Sequence, residues 1–229
     1  MKPLICCMVV LTSAMLVSSL PALSQVQFAL GLKAGLNLSS VSVDPDPYSG
    51  LQQAGVTSTK SGSTGFAVGA VAELNFGKMF AIALEPGYTQ KGTKWELTQG
   101  QAKATDERTV SYLQIPVLFR VKFLEGQVRP YGFAGPNIGF VLSSKAKFQG
   151  FANIQDGEYD VKSTTSSTDF GLEFGGGAEV KLAKQVALTG DVRFNLGLSN
   201  LDSSPAQAGQ TSSAKSRSLL IQLGVLFLL

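Results

Sequence analysis

From Phe28 onward the chain alternates apolar with small or polar residues at a period of two, the signature of a strand with one apolar face. Phe28, Leu30, Leu32, Ala34, Leu36 and Leu38 share one side, and Ala29, Gly31, Lys33, Gly35 and Asn37 the other. The alternation returns between Thr64 and Phe76, where Phe66, Val68, Leu74 and Phe76 oppose Gly69, Glu73 and Asn75. A third stretch sets Phe80, Ile82, Leu84 and Tyr88 against Glu85, Thr89 and Lys91; Pro86, which has no N–H to donate to a ladder, predicts a bulge there. In the fourth, Leu113, Ile115, Val117, Phe119, Val121 and Phe123 oppose Gln114, Arg120 and Lys122. The fifth begins with Tyr131 and Phe133 on one parity and ends with Ile138, Phe140 and Leu142 on the other, which predicts a register-resetting bulge at Gly135 and Pro136. Phe170 to Leu182, Val186 to Leu198 and Leu219 to Leu229 complete a set of eight.

The connections alternate in length. Short turns lie around Gly77 and Lys78, from Glu125 to Gln127, and from Ala183 to Gln185. The others are long and polar: Ser39 to Ser63, Thr93 to Arg108, Ser143 to Thr168, and Asn200 to Ser216. Within the third of these, Phe148 to Ile154 and Glu158 to Lys162 flank an Asp156-Gly157 turn and are expected to extend the strands on either side. Short turns on one rim, long loops on the other and an even strand number are the pattern of outer-membrane barrels. The expected fold is therefore all-β, an eight-stranded antiparallel transmembrane up-and-down β-barrel with short periplasmic turns and four long external loops.

Alternation alone does not say which stripe faces inward, since a soluble secreted barrel turns its apolar stripe into the cavity. Charge decides for the inverted arrangement. The polar stripe is rich in glycine and alanine and carries Lys33, Lys91, Arg120, Lys122, Lys181 and Arg193 against Glu73, Glu85, Asp169, Glu173, Glu179 and Asp191, a balanced set suited to a closed interior. Glu173, mid-strand among glycines, is placed to reach Arg120 or Arg193. The apolar stripe is nearly free of charge, as lipid requires, because an Arg or Lys at the bilayer midplane costs ~2–4 kcal/mol. Its last segment, Ile221, Leu223, Val225, Phe227 and Leu229, offers one continuous face to lipid and to the barrel-assembly machinery during insertion.

Length and composition narrow the picture further. With 229 residues, 44% of them apolar, and a net charge of +3, the chain reads as one folded domain and not as a disordered segment or a binder of nucleic acid driven by gross charge. Lys2, the apolar run Leu4 to Leu20, and Ala22-Leu23-Ser24 before Gln25 form a cleavable export signal over residues 1–24, which leaves 25–229 as the barrel domain. Cys6 and Cys7 depart with that signal, so the mature chain is expected to have no thiol for a disulfide, a metal or a nucleophile. Export and a lipid-facing stripe together place the mature protein in the outer membrane of a Gram-negative bacterium.

Several motifs resemble the PorT-like outer-membrane β-barrel proteins of Bacteroidetes: GLKAGLNLS from Gly31 to Ser39, EPGYTQKG from Glu85 to Gly92, YLQIPVLFR from Tyr112 to Arg120, PYGFAGPNIG from Pro130 to Gly139, and the closing DFGLEFGGGAEV and FNLGLSNL. The KAGLN and YLQIP pieces are the most specific. The terminal Phe227, Leu228 and Leu229 depart from the aromatic ending common in such barrels. The resemblance implies an outer-membrane barrel; founding members of the family are implied in assembling a secretion machinery for gliding and protease export.

Candidate chemistry is sparse. Barrel enzymes that resemble one another in relying on a histidine base have no counterpart here, because the chain has no histidine. Glu85, Glu173 and Glu179 are the carboxylates that could act as a raised-pKa base, but their balance with interior cations points instead to a side-chain plug. Gly55 to Ser61, GVTSTKS, lacks the second glycine of a phosphate loop. Asp44, Asp46, Asp156, Glu158 and Asp160 offer oxygen ligands without the spacing of a calcium loop. Trp95 and Tyr48 fall in loops or strand extensions, as interfacial anchors or as recognition residues. The expected function is a non-enzymatic structural, binding or secretion-assembly role carried by loops or rim, with no cofactor, metal or nucleic acid and with outer-membrane lipid as the surroundings. A narrow small-solute channel and a histidine-free enzyme are the alternatives.

Overall fold

The computed structural model describes residues 26–152, 154–201 and 213–229. The export signal expected over 1–24, and most of the connection from Asn200 to Ser216, lie outside the described residues. Ten strands follow in order: β1 (Val26–Asp44), β2 (Thr57–Phe76), β3 (Phe80–Leu84), β4 (Gly87–Gln99), β5 (Ala102–Lys122), β6 (Val128–Gln149), β7 (Gly157–Asp160), β8 (Thr168–Lys181), β9 (Val186–Gly197) and β10 (Ser213–Leu228). Every pairing is antiparallel, and β10 pairs back onto β1 from Ala29↔Leu228 to Asp44↔Ser213. The sheet thus closes on itself and leaves no free edge along that seam. β3 and β4 share one place between β2 and β5, and β7 pairs only with β6, so ten strands fill eight positions of a ring.

Two solvents explain the alternation. Leu32 is 67% exposed and Leu223 74%, whereas their inward neighbours Lys33 and Gln222 are 3% and 7% exposed. The exposed apolar side chains, among them Phe66, Phe119, Phe174 and Ile221, form a belt around the whole ring. Such a belt exceeds what a water-soluble monomer shows, and its natural solvent is lipid. No helix among the described residues is long and apolar enough to cross a membrane.

The interruption expected at Pro86 falls where β3 ends and β4 begins; the Pro86 carbonyl still accepts from Ala70 N at 2.9 Å, and the β2–β4 register shifts between Gly62 and Ala67. The bulge expected at Gly135 and Pro136 is absent. There β6 keeps its register, with Gly135 opposite Glu173 and Pro136 opposite Leu172, because Tyr131 and Phe133 point into the barrel and the apolar run does not change sides. The bulge in this strand sits instead at Leu142: Tyr112 pairs with Val141 but Ser111 pairs with Ser143.

The polar connections are largely strand. The stretch from Thr93 to Arg108 is a hairpin, with β4 and β5 paired out to Gln99↔Ala102 around Gly100. Beyond β1, the connection holds a short 3-10 turn, Ser49–Ala54, before β2 begins. Of the extension expected from Phe148 to Ile154, only Phe148 and Gln149 are strand among the described residues; β6 ends at Gln149, β7 returns at Gly157, and Val161 to Ser167 separate β7 from β8. β2, β5 and β6 run 20, 21 and 22 residues, about twice the ~9–11 that a membrane crossing needs, so the ring continues well past the apolar belt. In that continuation the polarity reverses. Trp95, Leu97, Val110, Ala146 and Ala214 are buried inside, while Glu96, Lys145, Lys147, Lys215 and Arg217 are exposed outside. The reversal is what a change of outer solvent from lipid to water requires.

Candidate functional site: the charged lumen and the chamber above it

Most inward rows supply ionisable groups, and the closed ring brings them within reach of one another. Lys33 comes from β1, Glu73 from β2, Glu85 from the β3–β4 junction, Arg120 and Lys122 from β5, Glu173 and Glu179 from β8, and Asp191 and Arg193 from β9. Nearest the short turns, Lys122 Nζ donates to Glu73 Oε1 at 2.7 Å and to Glu179 Oε2 at 2.9 Å, while Arg129 also pairs with Glu179. Arg120 joins this group to the next one, bonding Glu73 Oε2 at 2.5 Å and pairing with Glu85.

At mid-height Arg193 binds three carboxylates: Glu85 Oε2 at 2.9 Å, Glu173 Oε1 at 2.7 Å and Asp191 Oδ1 at 2.8 Å. Lys33 Nζ bridges Asp191 at 2.8 Å and Glu85 at 3.1 Å, and Tyr131 Oη donates to Asp191 at 2.9 Å. Toward the long rim, Lys91 Nζ donates to Asn195 Oδ1 at 2.7 Å and lies 3.9 Å from Asp169, whose carboxylate also accepts from Ser199 and Ser216. Burial of unpaired charge would cost several kcal/mol per ion; here each buried charge has partners of opposite sign or amide and hydroxyl groups around it.

The aromatic residues inside the barrel complete this packing. The Arg193 guanidinium lies 4.9 Å from the Phe133 ring centre and that of Arg120 5.2 Å from Tyr131, while Lys91 Nζ lies 5.1 Å from Tyr112. Gly175 faces these groups across the β8–β9 pair. A Cβ there would collide with the Val192 carbonyl and lie 2.8 Å from both Phe133 Cζ and Arg193 Cα, so only glycine leaves room for the ring and the guanidinium.

Eleven of the twelve residues read from the sequence as interior charges are buried in this network. Lys181 is not: it is half-buried at the end of β8 and makes no ion pair among the described residues. Arg129 takes its place in the charge balance, a residue hidden from sequence reasoning because it stands at the strand's start beside a turn. Glu173 meets Arg193 from the adjacent strand; Arg120 is taken by Glu73 and Glu85. Glu85, Glu173 and Glu179 are each held by cations, an arrangement suited to structural neutralisation. Along β10, Ile221, Leu223, Phe227 and Leu229 face outward and Val225 is half-buried on the same row.

Above the network the inside of the extended ring encloses a chamber of about 270 Å³. Trp95 lies in its wall, fully buried, with Tyr48 edge-on at 6.3 Å and the Arg108 guanidinium at 5.4 Å from its ring centre. Tyr48 Oη donates to the buried Asp106 carboxylate at 2.7 Å, and Arg108 closes on the same carboxylate at 3.1 Å. Burial, and then the hydrogen bond to Asp106, hold the Tyr48 hydroxyl well above the usual tyrosine range. The loop acids serve local structure: Asp46, Asp156 and Asp160 accept backbone N–H bonds from Tyr48, Gly150 and Lys162, and Glu158 pairs with Lys145. No three acidic residues come together as a cation site among the described residues. Gly55 caps the 3-10 turn, and Thr57 onward is strand, which leaves no phosphate cradle.

The family described as "Outer membrane protein beta-barrel domain" matches residues 23–203. Among solved structures, the chain is similar to Neisserial surface protein A at 15% identity, covering 88% of this chain and 98% of that one with a TM-score of 0.47. A major outer membrane protein from Thermus thermophilus matches at 16% identity, 90% and 100% coverage and a TM-score of 0.49. OprG from Pseudomonas aeruginosa matches at 14% identity, 89% and 95% coverage and a TM-score of 0.46. No curated protein matches the chain.

Proposed function

Since the chain belongs to the outer membrane protein beta-barrel domain family and resides in the outer membrane of a Gram-negative bacterium, we propose that it is an eight-position barrel closed by its own side chains. Its role is a structural or binding one, borne by the long rim. The carrying observation is the lumen: Lys122, Arg120, Arg193 and Lys91 tie the walls together at successive heights, which leaves ion pairs where a channel would need water. An interior of this ring size is just wide enough for side chains to fill. Non-enzymatic action fits the same picture, because the buried carboxylates are committed to cations.

In this reading the short turns lie in the periplasm and the long strands stand outside the cell. The continuation of β2, β4, β5 and β6 past the apolar belt, charged outside and apolar inside, supports that orientation. The resemblance of the KAGLN and YLQIP motifs supports a place in the PorT-like branch of Bacteroidetes, where a part in secretion-machinery assembly would draw on a protein partner at the same rim. The export signal over 1–24 and recognition of the β10 stripe by the insertion machinery complete the route to the membrane.

A test uses epitopes placed at two tips. An epitope inserted at Gly157 should bind antibody on intact cells, and one inserted at Gly77 only after the outer membrane is permeabilised. The opposite result would invert the orientation and with it the assignment of the binding rim.

A further inference from the structure

We infer that the chamber inside the extended ring is a binding site for a small, neutral, mostly apolar molecule carrying one hydrogen-bond acceptor. The inference rests on the proposed function only in taking the long rim as the working end. Its volume of about 270 Å³ lies near the lower end of ligand pockets, which run to roughly 300–1,000 Å³. Val41, Val43, Val110, Ala146, Phe148 and Leu201 supply apolar wall.

The polar side chains in the wall narrow the ligand further. Thr93 Oγ1 donates to Ser61 O, Thr165 Oγ1 contacts Ser144 Oγ at 2.9 Å, Thr164 Oγ1 donates to Val161 O, and Arg108 is neutralised by Asp106. One polar group is left over. Trp95 Nε1, a donor and nothing else, is buried without a partner. A buried indole N–H ordinarily finds an acceptor, and leaving it unmade costs the donor its hydration. A wall with one spare donor and no spare charge selects a neutral ligand with a single acceptor. The connection 202–212, composed of small and polar residues with Pro205, has no large apolar side chain with which to fill such a space.

Trp95 is also the only tryptophan in the chain, so the site carries its own reporter. The probe is a neutral acyl-naphthalene dye, an apolar ring system with one ketone oxygen that accepts energy from indole, added to the full mature protein purified from membranes in detergent. Saturable, one-to-one quenching of Trp95 is expected above the linear background set by micelles. Ala146→Phe and, from the facing wall, Val43→Phe should abolish the saturable part while the unheated protein keeps its folded gel mobility. Trp95→Phe, followed by the dye's own emission, should bind about tenfold more weakly, the equivalent of one lost hydrogen bond.

Quenching that never saturates, or that is unchanged in whichever of the two filling variants assembles, would overturn the site. So would full-strength dye binding by Trp95→Phe, because the spare donor would then have no part. Recovery of binding only after 202–212 is replaced by a glycine-serine linker would show that the chain fills its own chamber, and would also overturn the inference. None of these outcomes touches the closed lumen, which is tested separately by conductance.

Discussion

Glu85 and Arg193 stand on opposite walls of the ring, four positions apart in either direction, and meet at 2.9 Å in its centre. The contact spans 108 residues of sequence and joins the β3–β4 junction to β9. It is one of several crossings. Lys122 reaches from β5 to Glu73 on β2 and Glu179 on β8, and Lys91 reaches from β4 to Asn195 on β9. The long cationic side chains span the lumen, and the glycines of the inward rows leave them room.

Arg193→Leu leaves Glu173 without its ion-pair partner and takes one cation each from Glu85 and Asp191, which keep Lys33. Removing one partner from a buried ionic group costs ~3–5 kcal/mol, so the urea midpoint of the detergent-folded barrel should fall markedly. Glu173→Leu should lower it too, by removing one of Arg193's three carboxylates. Lys181→Ala, at a half-buried position with no ion pair among the described residues, should stay within about 0.5 kcal/mol of the parent. Equal effects of Arg193→Leu and Lys181→Ala would contradict the network.

The outward row of β10 gives a second test. Leu223 is 74% exposed near the middle of the apolar belt, so Leu223→Arg puts a cation into hydrocarbon at ~2–4 kcal/mol. The yield of protein with folded mobility on an unheated gel should fall sharply. Assembly at the parental level would mean that this row does not face lipid.

Phe133 carries a different kind of weight. It is inward, 5% exposed, and lies under the guanidinium of Arg193. Phe133→Leu should cost about 1–3 kcal/mol through lost cation–π attraction and imperfect filling. Phe119→Leu, on the exposed side at 51%, should cost far less in urea denaturation of the same barrel.

The strand rows and the closed ring are legible in the sequence because lipid outside and ion pairs inside force opposite chemistry onto alternate residues. Legibility fails where that contrast weakens. Tyr131 and Phe133 share the apolar character of lipid-facing residues, yet an aromatic ring also serves as a platform for an interior arginine, and the bulge expected at Gly135 has no place once both rings point inward. The stretch from Thr93 to Arg108 reads as loop because its overall composition is polar. Trp95 and Leu97 nevertheless alternate there with Lys94, Glu96 and Thr98, a period of two that continues the inward row of Lys91 and Thr93 with polarity reversed, and this is the signal that marks the strand. Beyond the choice of Arg120 or Arg193 for Glu173, pairing partners are not legible, because the number of strands between two positions follows from closure and not from local pattern.

Tyr48 links the loop after β1 to the upper ring, and pH probes that link. Its hydroxyl is held well above the ordinary tyrosine value, first by burial and then by the Asp106 carboxylate. The folded state therefore favours the protonated phenol; its contribution is fully present below about pH 10, the unfolded value, and is lost only as pH rises through the higher folded value. Trp95 emission should stay constant through the range in which free tyrosine ionises. Tyr48→Phe should remove about 1–3 kcal/mol of local stability by taking a donor from buried Asp106, visible as a red shift of Trp95 emission at lower denaturant.

The closed lumen is tested most directly by single-channel recording of the purified parent in planar bilayers. With Lys122, Arg193 and Lys91 tied across the ring, the membrane should show no steady conductance steps over a wide range of voltage and salt. Stable, reproducible unitary currents from heat-modifiable, correctly folded protein would contradict the plug and establish a water-filled path through the barrel.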